Sequence, residues 1–359
     1  MTTDDQAVAC HWLLLNIAGS APDELLTQGR TWLAEGRRAE LARAVGQAVF
    51  ADQLNLSDDD MAVLAQLLLD AGADPSVLAT IEPDDLEPTG MHGFAPTRAQ
   101  TDALLSEIDA SEAAPAELAN TDEPEDGIDQ AAISAAAAES AALALWRAWR
   151  FPGDGAHWPA PPRIYVLETG PDGDLVAIAA RVQAAIAAAG ETAPQVEVYP
   201  LGAGPPQYQR MARGYGGLVW ARVADPGGRM AVLFDGVDPQ TGPYMDPGHP
   251  VVEAAEAQRL LGYLRGGEAV LVTPARMDDI VDTSQTAKVP MNFITDGYWI
   301  WTDAMTYYLD RHSLRPDPEL VAHIEARDYA IGEIDGAGIH RALRRLQQPA
   351  AEEAAWTYG

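Results

Sequence analysis

The chain of 359 residues carries 54 acidic against 23 basic side chains, a formal net charge of −31, with 47% hydrophobic residues and a single cysteine. That balance disfavours nucleic acid and anionic membrane surfaces as partners, and no local basic patch offsets it. Cys10 alone can form neither an intrachain disulfide nor a thiolate metal cluster, while the length suffices for sizeable cores in two domains.

The opening "MTTDDQAVACHWLLLNIAG" puts two aspartates where a secretion signal has a basic region, and its apolar run is too short to span a bilayer. A reducing cytoplasm and no membrane partner are expected. Residues 1–82 read as a module of short antiparallel helices. In "DELLTQGRTWLAEG", Leu25, Leu26, Trp32 and Leu33 recur at helical spacing and Gly36 stands where a left-handed cap ends a helix. "RRAELARAVGQAVF" continues that periodicity, and "SDDDMAVLAQLLLDAG" starts on a cap at Ser57, loads acids at the helix N-terminus and stops at Gly72.

Residues 83–139 read as an acidic, disordered linker. Eleven acids face one base between Arg98 and Ser140, and so little apolar surface does not offset the entropy of ordering a chain. A helix is expected where "AAISAAAAESAALALWRAWRF" enters the next domain.

That domain, residues 140–348, is expected to be α+β with a mixed sheet, followed by a tail at 349–359. "PRIYVLETG", "DGDLVAIAARVQAAIAAAG" and "QVEVYP" form a β-α-β unit with a right-handed crossover. "GGLVWARVADPGGRMAVLFDG" alternates like an antiparallel hairpin turning at Pro226, Gly227 and Gly228. A helix from about Pro250 to Leu264 and a strand "EAVLVT" follow. Then "NFITDGYWIWTDAMTYYLDRH" concentrates six aromatic side chains in twenty-one positions. Asp296-Gly297 predicts a two-residue type I′ hairpin with Ile294 opposite Trp299 and Phe293 opposite Ile300. Ile294, Trp299 and Trp301 then share one face. The cluster reads first as an aromatic core and alternatively as a binding platform using Trp301, Tyr307 or Tyr308. "RPDPELVAHIEARD" restarts a helix on Asp317.

No familiar catalytic set accompanies these elements. The seven histidines show neither the i, i+4 pair of a helical metal site nor a metalloprotease pattern, although His312 and His323 could meet across a helix turn. No nucleophile turn or phosphate loop occurs, and "LGAGPP" lacks the third glycine of a dinucleotide loop. No cofactor or metal is implied. "PPQYQRMARGYGGLVWAR" gathers Tyr208, Arg210, Arg213 and Tyr215, residue types enriched at interface centres, with Trp301 and Tyr307 as further contact candidates.

The string "TDG.W.W.....YYL..H.L.P...L", within the C-terminal third, resembles a module of uncharacterised actinobacterial proteins, some associated with toxin–immunity systems. The resemblance implies an immunity-like role and carries over no catalytic residues. Together these features lead us to expect a non-enzymatic protein-interaction module, immunity-like or chaperone-like, that binds a basic protein. The alternative is an enzyme whose ligand sits at the sheet edge near Glu168, Asp174 and Arg210.

Overall fold

The computed structural model describes residues 3–51, 54–81, 92–108, 122–153, 160–224 and 228–348. Positions 83–91, 109–121 and 349–359, His157, Pro226 and Gly227 lie outside them. The fold is α+β. The chain divides into two units, Met1–Val223 and Ala224–Gly359, so a single domain over 140–348 is not what its contacts support.

The first unit begins with α1 (Thr3–Asn16), α2 (Asp23–Ala34), α3 (Arg38–Phe50) and α4 (Asp58–Asp70), closed by a 3-10 turn at Pro75–Thr80. Leu13, Leu14, Leu26, Leu41, Val45 and Leu64 interlock at their centre. The Ser57 hydroxyl accepts from Asp60 N as the expected cap, and Gly36 and Gly72 take the left-handed conformations that end α2 and α4. These helices do not stand apart. Thr27 Oγ1 of α2 donates to Pro194 O, and Arg30 pairs with Glu197 at 2.5 Å, tying the helices to the sheet that follows.

Then come β1 (His92–Ala95), α5 (Arg98–Ile108), α6 (Gly127–Ala138), β2 (Ala142–Pro152), β3 (Arg163–Thr169), α7 (Leu175–Ala188), β4 (Gln195–Pro200), α8 (Gln207–Gly214) and β5 (Gly217–Ala221). Three expectations are corrected here. Residues 92–108 and 127–138 are structured rather than linker, because the acids of α6 find arginines distant in sequence. "ALALWRAWRFP" is a strand, not the end of a helix. It pairs antiparallel with β3 on one edge, and with β5 and β1 in succession on the other. Neither does "GGLVWARVADPGGRMAV" form a hairpin, since β5 pairs with β2.

The β3–α7–β4 crossover is parallel, as expected, with the Asp174 side chain capping α7 by accepting from Ala177 N. Alternation along the strands gives the sheet two different faces. Leu145, Tyr165, Leu167, Val196 and Val198 meet Ala132 and Ala136 of α6 and Ile178, Val182 and Ile186 of α7. The opposite face carries Trp146, Glu168, Glu197 and Tyr199, all buried.

The second unit contains β6 (Arg229–Met230), β7 (Gly236–Asp238), β8 (Gly242–Tyr244), α9 (Ala254–Arg265), β9 (Glu268–Leu271), β10 (Arg276–Met277), β11 (Val289–Pro290), β12 (Phe293–Thr295), β13 (Trp299–Thr302), α10 (Asp303–His312), α11 (Pro318–Ala326) and α12 (Gly336–Gln347). One sheet runs β6-β13-β12-β9, with β6 parallel to β13 and the other pairs antiparallel. Ile294, Trp299 and Trp301 pack on Leu260, Leu261 and Leu264 of α9, Met305 and Leu309 of α10, and Leu320 and Ile324 of α11. On the other side α12 covers β9 and β12.

The β12–β13 register differs from the expected one. Thr295 pairs with Ile300 and Ile294 with Trp301, and Asp296 N donates to Trp299 O, so the tip is at Gly297-Tyr298 and not at Asp296-Gly297. Only Gly297 there has positive φ, +89°, which excludes a type I′ turn. The Asp296 carboxylate accepts from Tyr298 N and Trp299 N, and Thr295 Oγ1 donates to Trp299 O, so side chains shape the loop. Because the slip is an even number of residues, Ile294, Trp299 and Trp301 still share one face.

Candidate functional site

Within the first unit, the chain leaves β4 through "LGAGPP" and starts α8 at Gln207. Tyr208 packs against the helical core beside Phe94, and its hydroxyl accepts from Arg150 Nη1. Gln209 is fully buried, donating to Leu15 O and to Glu197, whose other oxygen takes Arg30. Arg210 is exposed and donates to Pro205 O. Arg213 faces the rings of Trp146 and Tyr199 and donates from Nη1 to Tyr199 Oη at 2.7 Å and to Glu168 Oε1 at 3.4 Å. Burial and the nearby Glu168 carboxylate push the Tyr199 phenol above its usual range, so it is a hydrogen-bonding hydroxyl. Tyr215, 62% exposed, lies just past the helix. Of the four residues singled out here, Tyr208 is structural, Arg213 is largely committed to the sheet, and Arg210 and Tyr215 face outward.

The alternative set is not assembled as expected. Glu168 sits at the carboxyl ends of the parallel strands, but its described partners are Tyr199 and Arg213, while Asp174 caps α7 and Arg210 holds Pro205.

A buried charged network in the same unit escapes any local pattern. Asp129 of α6 accepts from Arg147 Nη1 at 2.5 Å, Arg163 Nη1 at 2.8 Å and Tyr165 Oη at 2.5 Å. Arg147 also donates to Pro96 O and Glu123 O, and Arg163 forms two bonds to Asp126. The Arg163 hydrogen bond holds the Asp126 carboxyl down at about 2. The only local hint was the cap sequence "EDGID", in which Asp126 accepts from Ile128 N and Asp129 N.

In the second unit three histidines are each held by an aspartate. His312 Nε2 lies 2.6 Å from Asp279 Oδ2, which also accepts from Tyr307 Oη. His323 Nε2 lies 2.7 Å from Asp296 Oδ2, which also accepts from Tyr263 Oη. Burial opposes ionisation of both aspartates, yet these donors and backbone N–H groups hold each carboxyl below its usual range. His312 and His323 therefore serve different carboxylates and do not form a common ligand pair. Among the described residues no group of three or more His, Cys, Asp or Glu side chains could hold a metal ion. Trp301 is fully buried in the core, which corrects its assignment as a contact residue, and the Tyr307 hydroxyl is occupied by Asp279.

The third pair, Asp235–His249, stands beside a groove of about 360 Å³. Tyr244, Pro247, Val251, Ile280, Val281 and Leu314 give it apolar walls, and Asp246 contributes a carboxylate. These residues come from segments far apart in sequence, so no motif announced them. No helix among the described residues is long and apolar enough to cross a membrane. No family model matches the chain, and neither does any curated protein or solved structure.

Proposed function

We propose that the chain is a protein-interaction module that binds a basic protein partner, in the manner of an immunity or chaperone-like protein. The observation that supports this most is how the first unit distributes its charge. Arg30, Arg147 and Arg163 are buried against Glu197, Asp129 and Asp126, and Arg150 and Arg213 are mostly buried against Asp23 and Glu168. Each such contact neutralises a base internally. Each also neutralises an acid, so the chain's net charge of −31 stands undiminished and steers cationic partners at long range.

Selection of a randomised peptide library on the immobilised full chain tests the proposal. Enriched sequences should be rich in arginine and lysine, with association rates that fall steeply as the Debye length shrinks from about 30 Å at low salt to about 8 Å at physiological salt. Enrichment of neutral or acidic sequences, or binding insensitive to salt, would overturn it.

A further inference from the structure

We propose that the groove of the second unit docks a linear segment of the partner in which one aliphatic or aromatic side chain stands between arginines or lysines. This rests on the chain being a binder of basic proteins and names where and how the contact is made. The apolar half of the site is exposed to an extent that the unit's interior does not require. Val251 is 68% exposed, Val281 47% and Tyr244 43%, and Val237, paired across the β7–β8 hairpin with Pro243, extends the surface. Large apolar side chains gathered around a concavity mark a place that another molecule covers.

The walls are preformed. Asp235 N donates to Tyr244 O, and Asp246 N donates back to Asp235 Oδ2 at 2.7 Å. His249 Nδ1 meets the same carboxylate at 2.9 Å, and its Nε2 meets Arg315 O at 2.9 Å. Arg315 N donates to Pro250 O and Val252 N to Ser313 O, fixing Val251 between them. Ile280 N donates to Tyr308 Oη, which anchors the facing wall. A groove fixed by this many bonds loses little entropy when a segment enters it.

The charge of the rim selects the occupant. No lysine or arginine lines the groove, and Asp246, exposed within it, has no counter-ion among the described residues. Asp238 and Asp282 stand on the adjoining turns, their carboxylates held by backbone N–H and hydroxyl groups of those turns. A second copy of the chain would bring the same charge of −31 to this rim, which disfavours it as the occupant. A cationic segment gains from the same field, with its apolar side chain covered by Val251, Ile280 and Leu314.

Three fluorescein-labelled synthetic peptides test this by anisotropy with the full chain at low salt: a leucine flanked on each side by two arginines, the same peptide with alanine for leucine, and one with glutamates for arginines. The leucine–arginine peptide should bind at least about tenfold more tightly than the alanine version, and the glutamate peptide should not bind. Asp246→Lys and Val251→Gln should each weaken binding about tenfold or more, whereas Val272→Gln, at an exposed position after β9 and outside the groove, should leave it unchanged. If arginine peptides bind but ignore leucine and both groove variants, the groove assignment is overturned while the basic-partner reading stands. Loss of binding in Val272→Gln instead would place the contact on the β9 edge, and self-association abolished by Val251→Gln would make the occupant a second copy. If no arginine peptide binds, both proposals fail.

Discussion

His11 offers a direct test of how the first unit is put together. It lies on α1, is fully buried, and its Nε2 sits 2.7 Å from Val198 O on β4, the edge strand of the sheet. A carbonyl only accepts, so Nε2 carries the proton. Burial pushes the imidazole pKa down from 6.5 to about 4. For a base with a depressed folded-state pKa, the unfolded chain binds the proton more strongly. Stability is therefore intact above 6.5, falls as pH drops through that value, and levels off below about 4. Between about pH 7.5 and about pH 5 the linkage relation gives a loss of about 2 kcal/mol from this one group. His11→Gln keeps an N–H for Val198 O and cannot titrate. Urea unfolding read by hydrogen exchange of β3 and β4 peptides should show the wild type losing about 2 kcal/mol more than the variant over that interval. Parallel stability curves would mean that the ring is hydrated or not docked on β4, and the placement of α1 against the sheet edge would fall with it.

Three further outcomes follow from particular contacts. Arg147→Met should cost about 3–5 kcal/mol in denaturant unfolding, because it strips one of the two arginines from the buried Asp129 carboxylate, and Arg147→Lys should rescue little because an ammonium cannot reproduce the bonds to Pro96 O and Glu123 O. Trp301→Ala should destabilise the second unit by about 3–5 kcal/mol in a melting experiment, and an unchanged transition would show that the ring is not core. Asp126→Asn should flatten the acid limb of the stability curve. Its carboxyl is depressed to about 2, so its contribution is present above the ordinary value of 3.8 and is lost as pH falls through 2. The side chain is 42% exposed, so solvent screening reduces the effect to about 1 kcal/mol.

What could be read from sequence followed from short-range chemistry. Ser57 and Asp317 cap helices because each offers an oxygen to N–H groups two or three residues on, a relation visible in the sequence itself. The β3–α7–β4 crossover was legible for the same reason, since two apolar runs flank one amphipathic helix. β2 was not. A central strand covered on both faces shows no alternation, and "ALALWRAWRF" has the composition of a helix. Of α6, "AAISAAAA" was legible as helix but its start was not, since its acids looked like a solvated run until Arg147 and Arg163, 18 and 34 residues from Asp129, supplied its counter-charges. The hairpin faces came out right and the register wrong because the period of a strand is two while the turn depends on Asp296 and Thr295 side chains. Of the proposed contact residues, the burial of Tyr208 and Trp301 depended on tertiary packing. The groove depends on three segments meeting, from 243–251, 280–281 and Leu314, and no local pattern encodes that.

The same long-range pairs explain how helices with little surface relief find one position on the sheet. α6 is "GIDQAAISAAAA", and its alanine ridges give the sheet few knobs to lock against. α6 instead docks through Asp129 to β2 and β3, α2 docks through Arg30 to β4, and α8 docks through Arg213 to β3. Buried ion pairs contribute little net stability, since desolvation offsets most of the attraction, but an unpaired alternative is costly, so they penalise every misplaced arrangement. We therefore expect Asp129→Leu combined with Arg147→Met to cost less than the sum of the two single changes, since neither leaves the other's charge unpaired, while Arg163 keeps Asp126 and Tyr165 Oη loses its acceptor. The amide resonances of α6 should nonetheless broaden as the helix samples several positions on the sheet. A sharp, singly populated spectrum from the double variant would refute this role and assign the register of α6 to apolar packing alone.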